Sequence, residues 1–394
     1  MLHNIKVIEL ASVLAGPSVG QFFAELGADV IKIENLKTRG DVTRSWKGSG
    51  EQTDERSAYF CSVNWGKRSL AVDLTKKEGR EIIHKLVTQA DIVIASYKPG
   101  DAEKLEMDYN SLSKLNPKLI YGQITGYGSD NPRVGYDAII QAEAGFMQMN
   151  GEQGGASLKM PVALIDVLAG HHLKEGVLLA MIQLVKTGKG SFVEVSLIQA
   201  AISSLVNQAT NWLIAGKLPQ KKGSAHPNIA PYGDVFITED GQEVLLAVGS
   251  DRQFIDLCQL LEVGEIVLDS KFSTNQSRVD NRKELNQIIQ KQIGRLLADT
   301  IIVDLNKAKI PAGRIQSLKQ VFEMHEAKEL LIRSSDRIGV KSYVASTGFT
   351  LNQENIPHIS PPPKFGEHTN QILSTHLQLS PEAMKNLSDN GIII

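Results

Sequence analysis

Asp166 lies where an apolar run, Pro161–Ile165, passes into a stretch with helical spacing at Leu168, Leu173, Val177, Met181 and Leu184. A carboxylate at such a junction has two uses. It can cap the first turn of the helix, a contribution of about 1 kcal/mol. It can also sit at the positive end of the helix dipole, stay ionised there and act as a nucleophile. Gly170, one turn further on, would let a ligand or a second backbone come close. The other chemistry-bearing group is cationic. Arg39 and Arg44 fall in the polar stretch 35–57, which contains GDVTRSW (40–46) and reads as a functional loop. Both could clamp a carboxylate or a phosphate, or simply be solvated surface charge.

These residues need elements to position them. Ile5–Leu10 and Ala28–Glu34 read as strands, with the small-residue turn ASVLAGP and a helical stretch, Ser18–Leu26, between them. Further strands are expected at Ser69–Leu74, Asp91–Ala95, Lys118–Ile124 and within Lys186–Leu197, with a helix over Lys76–Gln89. Helices are also expected over Tyr136–Asn150 and, as one long element, over Ile198–Leu213. Strands alternating with helices predict an α/β fold built on a parallel, Rossmann-like sheet. Lys67 and Arg68 stand beside the strand Ser69–Leu74, and loops rich in Gly, Lys and Arg follow the strand ends, including SYKPG (96–100) and TGYGSDNPRVGYD (125–137). That suits a phosphorylated, nucleotide-bearing ligand. The first turn is not GxGxxG, which counts against a dehydrogenase.

Composition shifts after GKLPQKKGSAHPNIAP (216–231), which reads as a linker. Tyr232–Thr238 and Glu243–Val248 flank the turn EDG as a hairpin, and helical spacing follows, clearest over Asn281–Leu297. The division expected is a large ligand-binding domain over 1–215, a smaller α+β domain over 225–325, and a segment 326–394 that returns to complete the large one. Within that last segment Gly339–Ser346 has mild strand character, SPPPKFGEHT (360–369) is stiffened by proline, and Pro381–Asp389 is a short helix.

The bulk properties exclude several classes. The 394 residues carry a net charge of −2, so nothing favours nucleic acid or an anionic membrane. No apolar run is long enough to span a bilayer, and the first residues lack the pattern of a signal peptide. Cys61 and Cys258 stand apart and outside any CxxC motif, which points to a reducing, cytoplasmic setting without a metal or disulfide framework.

Taken together, these blocks resemble the class III CoA-transferases, the family of formyl-CoA transferase and carnitine CoA-transferase. The resemblance runs through VLAGP (13–17), LGADVIKIE (26–34), GDVTRSW (40–46), NWGKRSLAVDL (64–74), ADIVIASYKPG (90–100), ITGYG (124–128), GYD (135–137) and VALIDVLAG (162–170). In the second half GSAHPNIAPYGDVF (223–236), DSKFSTNQSRVDNRKEL (269–285) and PPPKFGEHT (361–369) look most like the dicarboxylate branch, exemplified by succinate–hydroxymethylglutarate CoA-transferase.

The resemblance implies a role for each residue. Asp166 is the nucleophile, with its capping role secondary, and the backbone of Leu14, Ala15 and Gly16 stabilises the oxyanion. Val13, Ala15, Val72, Thr75, Ser96, Tyr97 and Lys104 contact coenzyme A. Asn35, Thr75 and Leu14 stand where formyl-CoA transferase has Arg, Lys and Gln, so the lost cations are expected at Lys98, Arg133 or Lys32. Arg44 and His226 are expected on the acceptor side. Coenzyme A is a substrate here and no bound cofactor or metal is implied. The α-methylacyl-CoA racemases carry a His at the position of Tyr136, and a phenol is a poor base at neutral pH, which favours transfer over racemisation. His171 and His172 read as packing or surface residues. A catalytically silent CoA-binding protein is the third possibility. The family's open-ring monomers interlock as homodimers, and the linker at 216–231 is compatible with that.

Overall fold

The apolar runs of the first 200 residues become the strands of one sheet in the computed structural model, which describes residues 1–333, 342–352 and 359–394. The strands are β1 (Lys6–Leu10), β2 (Asp29–Asn35), β3 (Lys67–Val72), β4 (Ile92–Ala95), β5 (Ile120–Thr125) and β6 (Ser191–Ser196). Every neighbouring pair is parallel, in the order β3-β2-β1-β4-β5-β6. β1 is central, with Val7 opposite Val30 on one side and Ile92 on the other. Residues 92–95 are wholly buried, as a strand covered on both faces must be. Chain direction reverses across the sheet at β1 and β4. The turn Ala11–Pro17 and the segment Ser96–Gly100 both leave carboxyl ends there, and the Ser12 N–H donates to Ser96 Oγ at 3.2 Å. That switch point is where open α/β sheets bind ligands.

Four helices bear on the site: α1 (Ala15–Glu25), α2 (Lys77–Val87), α3 (Asp137–Glu143) and α4 (Leu164–Thr187). α1 begins inside the small-residue turn, earlier than its apolar spacing suggests. α2 packs Ile82, Ile83 and Leu86 against Val72, Tyr121 and, from near the C-terminus, Leu373. The last residues close on β3, where the Asp73 N–H donates to the Ile392 carbonyl.

Residues 1–144, 160–205 and 326–394 form one compact unit, and residues 145–159 and 206–325 a second. In the second, β7 (Tyr232–Ile237), β8 (Glu243–Ala247) and β9 (Ala312–Arg314) make an antiparallel sheet. Its core joins Phe236 and Leu246 to Phe254, Leu285, Ile289 and Ile301 from the surrounding helices. The third strand, of three residues, was too short to register as a pattern.

Two helical expectations need correction. Tyr136–Asn150 breaks at Gly145, whose φ of +86° admits no further helical turn, leaving α3 and Phe146–Met149. Ile198–Leu213 is likewise two helices, Leu197–Ser203 and Val206–Leu213, with Val206 at φ +42°. Of the strand expected over Gly339–Ser346, Ser342–Val344 pairs with Leu331–Arg333, while 339–341 lie outside the described residues.

The loop that carries Tyr136 into α3 is closed backbone to backbone. A Cβ built on Gly126 would lie 2.6 Å from the Gly135 nitrogen. Gly126→Ala should therefore cost about 1–3 kcal/mol in a denaturant titration. An unchanged midpoint would show that this closure is not rigid.

Candidate active site

Asp166 is the third residue of α4, whose N-cap position is Ala163. It caps nothing. The N–H beside it, on Ile165, is accepted by Asp137 Oδ1 at 2.8 Å, so the carboxylate that caps α4 comes from the first residue of α3. Asp137 Oδ2 in turn accepts from Gln141, whose Oε1 accepts the Met160 N–H. α4 presents Ile165, Ala169, Leu173 and Val177, with Asp166 and Gly170 beside them, as its buried stripe. The large residues that set the expected periodicity lie partly outside that stripe, because the tightest packing is made by small ones. A Cβ on Gly170 would fall 2.5 Å from Ser18 Oγ and 3.3 Å from the Ala15 carbonyl. The backbone that Gly170 lets approach is thus the start of α1.

This packing leaves Asp166 7% exposed. Burial, and then the neighbouring Asp137 charge, push its carboxyl from 3.8 up to about 7. That overturns the expectation of a freely ionised carboxylate. The change corresponds to about 4 kcal/mol against ionisation, whereas a helix N-terminus returns only roughly 0.3–1 kcal/mol. Burial wins. The phenol of Tyr59 is raised by burial and then by the charges of Asp166, Asp137 and Asp41, which puts Tyr59 in the same electrostatic field. Its ring meets Trp46 edge-on at 5.1 Å.

Beside the switch point lies a cavity of about 770 Å³, lined among others by Ser12, Asn35, Arg39, Thr75, Tyr97 and Phe365. Of the residues expected to meet coenzyme A it gathers Thr75 and Tyr97. Ser96 bonds to Ser12 and Val13 to Asp41, both of which line it, and Val72 is buried at the end of β3. Lys104 lies on the short helix Asp101–Lys104, paired with Asp101 at its exposed end. Tyr136 precedes α3 and is 57% exposed.

The expected replacements for the missing cations differ in availability. Lys32 is fully buried between Glu9 and Asp41, each 3.0 Å away. Arg133 stacks on Tyr127 and pairs with Glu143. Lys98 is exposed. A fourth cation went unnoticed: Lys37 Nζ donates to Thr75 Oγ1 at 2.7 Å and pairs with Asp73, and its N–H donates to Asn35 Oδ1. Two of the neutral substitutions thus steady a lysine.

Of the two acceptor-side residues, Arg44 also lines the cavity but is heavily engaged. Nε and Nη2 donate to the two Glu34 oxygens at 2.9 and 2.6 Å, Nη2 reaches the Pro363 carbonyl, and the guanidinium covers the Phe60 ring. Nη1 alone is buried without a partner. His226 belongs to the second unit, where its Nδ1 accepts the Asn228 N–H and its ring meets Tyr232. Burial, and then Arg282, keep it below its ordinary pKa and so neutral. His172 accepts from or donates to Ser203 at the surface of the first unit, and burial lowers His171.

The geometry offers a desolvated carboxylate, a turn of free first-turn N–H groups and a nucleotide-sized cavity on one sheet edge. The profile of the family described as CoA-transferase family III matches residues 2–369. A succinate–glutarate CoA-transferase of Agrobacterium fabrum is 38% identical over 382 residues, 95% of each chain. Human succinyl-CoA:glutarate CoA-transferase is 32% identical over all of this chain and 90% of its own. Among solved structures, a CAIB/BAIF family protein from Brucella suis superposes with a TM-score of 0.84 at 37% identity, covering 94% of this chain and 98% of that one.

The raised Asp166 carboxyl has a sign that can be read. Folded, it keeps its proton to about pH 7; unfolded, it loses it near pH 4, so stability falls as pH climbs through that window. Asp166→Asn should raise Tm at about pH 8, by clearly more than at about pH 5. A Tm difference that does not grow with pH would contradict the shift. Asp137→Asn removes the like charge and should move the acidic limb of kcat/KM to lower pH.

Proposed function

We propose, because the chain belongs to CoA-transferase family III, that it moves coenzyme A from succinyl-CoA to a small dicarboxylate of the glutarate class through covalent intermediates on Asp166. The observation that carries this reading is Asp166 itself, desolvated one turn before the glycine that brings in the Ala11–Pro17 turn. The relatives named for succinyl-CoA and dicarboxylates supply the substrate class.

The chemistry follows from the residue. The ionised Asp166 attacks the thioester carbonyl of succinyl-CoA, and the oxyanion collapses with loss of CoA thiolate to a succinyl–aspartyl anhydride. Thiolate returns to the aspartyl carbonyl, expels succinate and leaves an aspartyl-CoA thioester. The acceptor carboxylate attacks that thioester, expelling thiolate again. Thiolate then attacks the acceptor carbonyl of the new anhydride, giving acceptor-CoA and the free Asp166 carboxylate. Each step exchanges one activated acyl group for another, so the protein supplies position, oxyanion donors and dryness.

In this reading the first-turn N–H groups of Leu14, Ala15 and Gly16 receive the oxyanion, a donor of this kind being worth about 3–4 kcal/mol. Val13, Thr75, Ser96, Tyr97 and Lys104 bind the nucleotide end of coenzyme A, and Arg44 Nη1 and His226 are the acceptor-side candidates. A carboxyl near 7 is a stronger nucleophile when ionised than one at 3.8, while enough of it is charged at neutral pH to react. The large domain over 1–215, the linker, the small domain over 225–325 and the returning segment are the parts this activity uses. A racemase would need a second acid–base group, and Tyr136 stands exposed where that branch has its histidine.

The chain is further read as a homodimer. On α4, Leu179, Ile182 and Val185 are 67%, 55% and 89% exposed, an apolar surface a monomer has no use for. Light scattering should return twice the 43.1 kDa chain mass, and a monomer would contradict it.

A screen of free acids against succinyl-CoA, read as new thioesters by mass spectrometry, tests the activity. Glutarate and its short homologues should react, and Asp166→Ala should lose transfer by more than about a thousandfold while still binding coenzyme A. Full activity in that variant would overturn the assignment. Solvent deuterium entering an acyl-CoA α-carbon without exchange of acids would favour the racemase.

A further inference from the structure

Four charged side chains lie buried in a row beneath the Ala11–Pro17 turn, and none has a part in the chemistry above. Lys67 Nζ is 2.7 Å from Glu9 Oε2, Glu9 Oε1 is 3.0 Å from Lys32 Nζ, and Lys32 Nζ is 3.0 Å from Asp41 Oδ2. All four side chains are 1% exposed or less. The signs alternate and the charges cancel, which is the condition for desolvating such a set.

Lys67 Nζ also donates to Asn64 Oδ1 at 2.9 Å, and three further hydrogen bonds of the set converge on one stretch of backbone. Lys67 Nζ donates to the Pro17 carbonyl at 2.8 Å, Lys32 Nζ donates to the Ala11 carbonyl at 2.8 Å, and Asp41 Oδ1 accepts the Val13 N–H at 3.3 Å. The same Asp41 oxygen accepts from the Thr43 N–H and hydroxyl, which fixes the carboxylate from its own loop. Val13, in the middle of the gripped stretch, has φ +73°. A β-branched residue adopts that conformation only when its surroundings impose it.

We propose that this ion cluster is a positioning device: Asp41, anchored by Lys32, holds Val13 in the left-handed conformation and so aims the N–H groups of Leu14–Gly16 at the acyl-CoA. The inference rests on the reading of that turn as CoA-facing. Asp41, Lys32, Glu9 and Lys67 are positioning residues, since they act through the backbone of the turn.

The test compares Asp41→Ala with the double variant Asp41→Ala/Val13→Gly, reading CoA affinity by calorimetry, kcat/KM for succinyl-CoA, and Tm. Asp41→Ala should bind coenzyme A at least about tenfold more weakly. Adding Val13→Gly should recover most of that affinity and of kcat/KM, because glycine takes φ +73° without the steric cost. It should not restore Tm to that of the unaltered protein, since Lys32 stays buried without its Asp41 partner. Affinity and stability then move apart, which a purely structural role cannot produce. Wild-type affinity in Asp41→Ala, or a defect that Val13→Gly leaves unrepaired, overturns the proposal. If Asp41→Ala does not fold, Asp41→Asn, which keeps the shape but not the charge facing Lys32, is judged by the same criteria. Failure of the unaltered protein to bind coenzyme A would instead defeat the CoA-transfer reading.

Discussion

The approach of α4 to the start of α1 at Gly170 is the contact on which the site depends. A Cβ there would meet Ser18 Oγ at 2.5 Å and the Ala15 carbonyl at 3.3 Å, so a larger residue must displace the Ser18 hydroxyl and crowd the start of α1. That single close approach has two consequences. It dries the first turn of α4, so that Asp166 gives up its proton only near neutrality, and it brings a turn of small residues alongside the same helix. The role proposed for Asp166, a nucleophile that is also a leaving group, needs both. Ionisation must be available at working pH, and water must be kept from an anhydride that hydrolyses readily. The resulting strain on stability is of the kind active sites carry elsewhere.

The turn is in its own right an improbable conformation, and the buried charges explain how it persists. Lys32 and Lys67 share Glu9 but respond differently. Burial pulls Lys67 down to about 8, with Glu9 opposing and the Lys32 charge adding to the fall. Lys32 goes the other way, since Glu9, Asp41 and Glu34 together outweigh its desolvation. At the Asp41 end the carboxylate oxygen that holds Val13 is also fixed by the N–H and hydroxyl of Thr43. On the far side of the same loop, Glu34 accepts from Arg44, Ser69 and the Asp41 N–H, so β2 supplies two charged residues to one small region.

Much of this was legible in the residues. The apolar runs locate all six strands of the parallel sheet, the family blocks single out Asp166 as the residue to test, and the position of Gly170 announces a close contact. What sequence alone could not reveal was which polar residues are dry. Lys32 reads as a loop cation by type, yet it sits inside the apolar run ADVIKIE, and a lysine there must be paired. Glu9 in VIEL carried the same signal. Asp137 stands within GYD without a role that sequence shows, because its use, capping the neighbouring helix and raising the carboxyl of Asp166, depends on a contact 28 residues away. Arg44 was read as a clamp for a substrate acid, and most of its capacity is spent on Glu34, a partner set by the folding of the loop over β2.

The most direct measurement follows oxygen. In a single turnover with the acceptor acid labelled in its carboxylate with heavy oxygen, one acceptor oxygen must remain on Asp166 when the last anhydride is cleaved. Digestion and mass analysis should find the peptide containing residue 166 heavier by one such atom. A peptide of unchanged mass, with the label passed straight to the released succinate, would mean that the two acids met each other and never the enzyme.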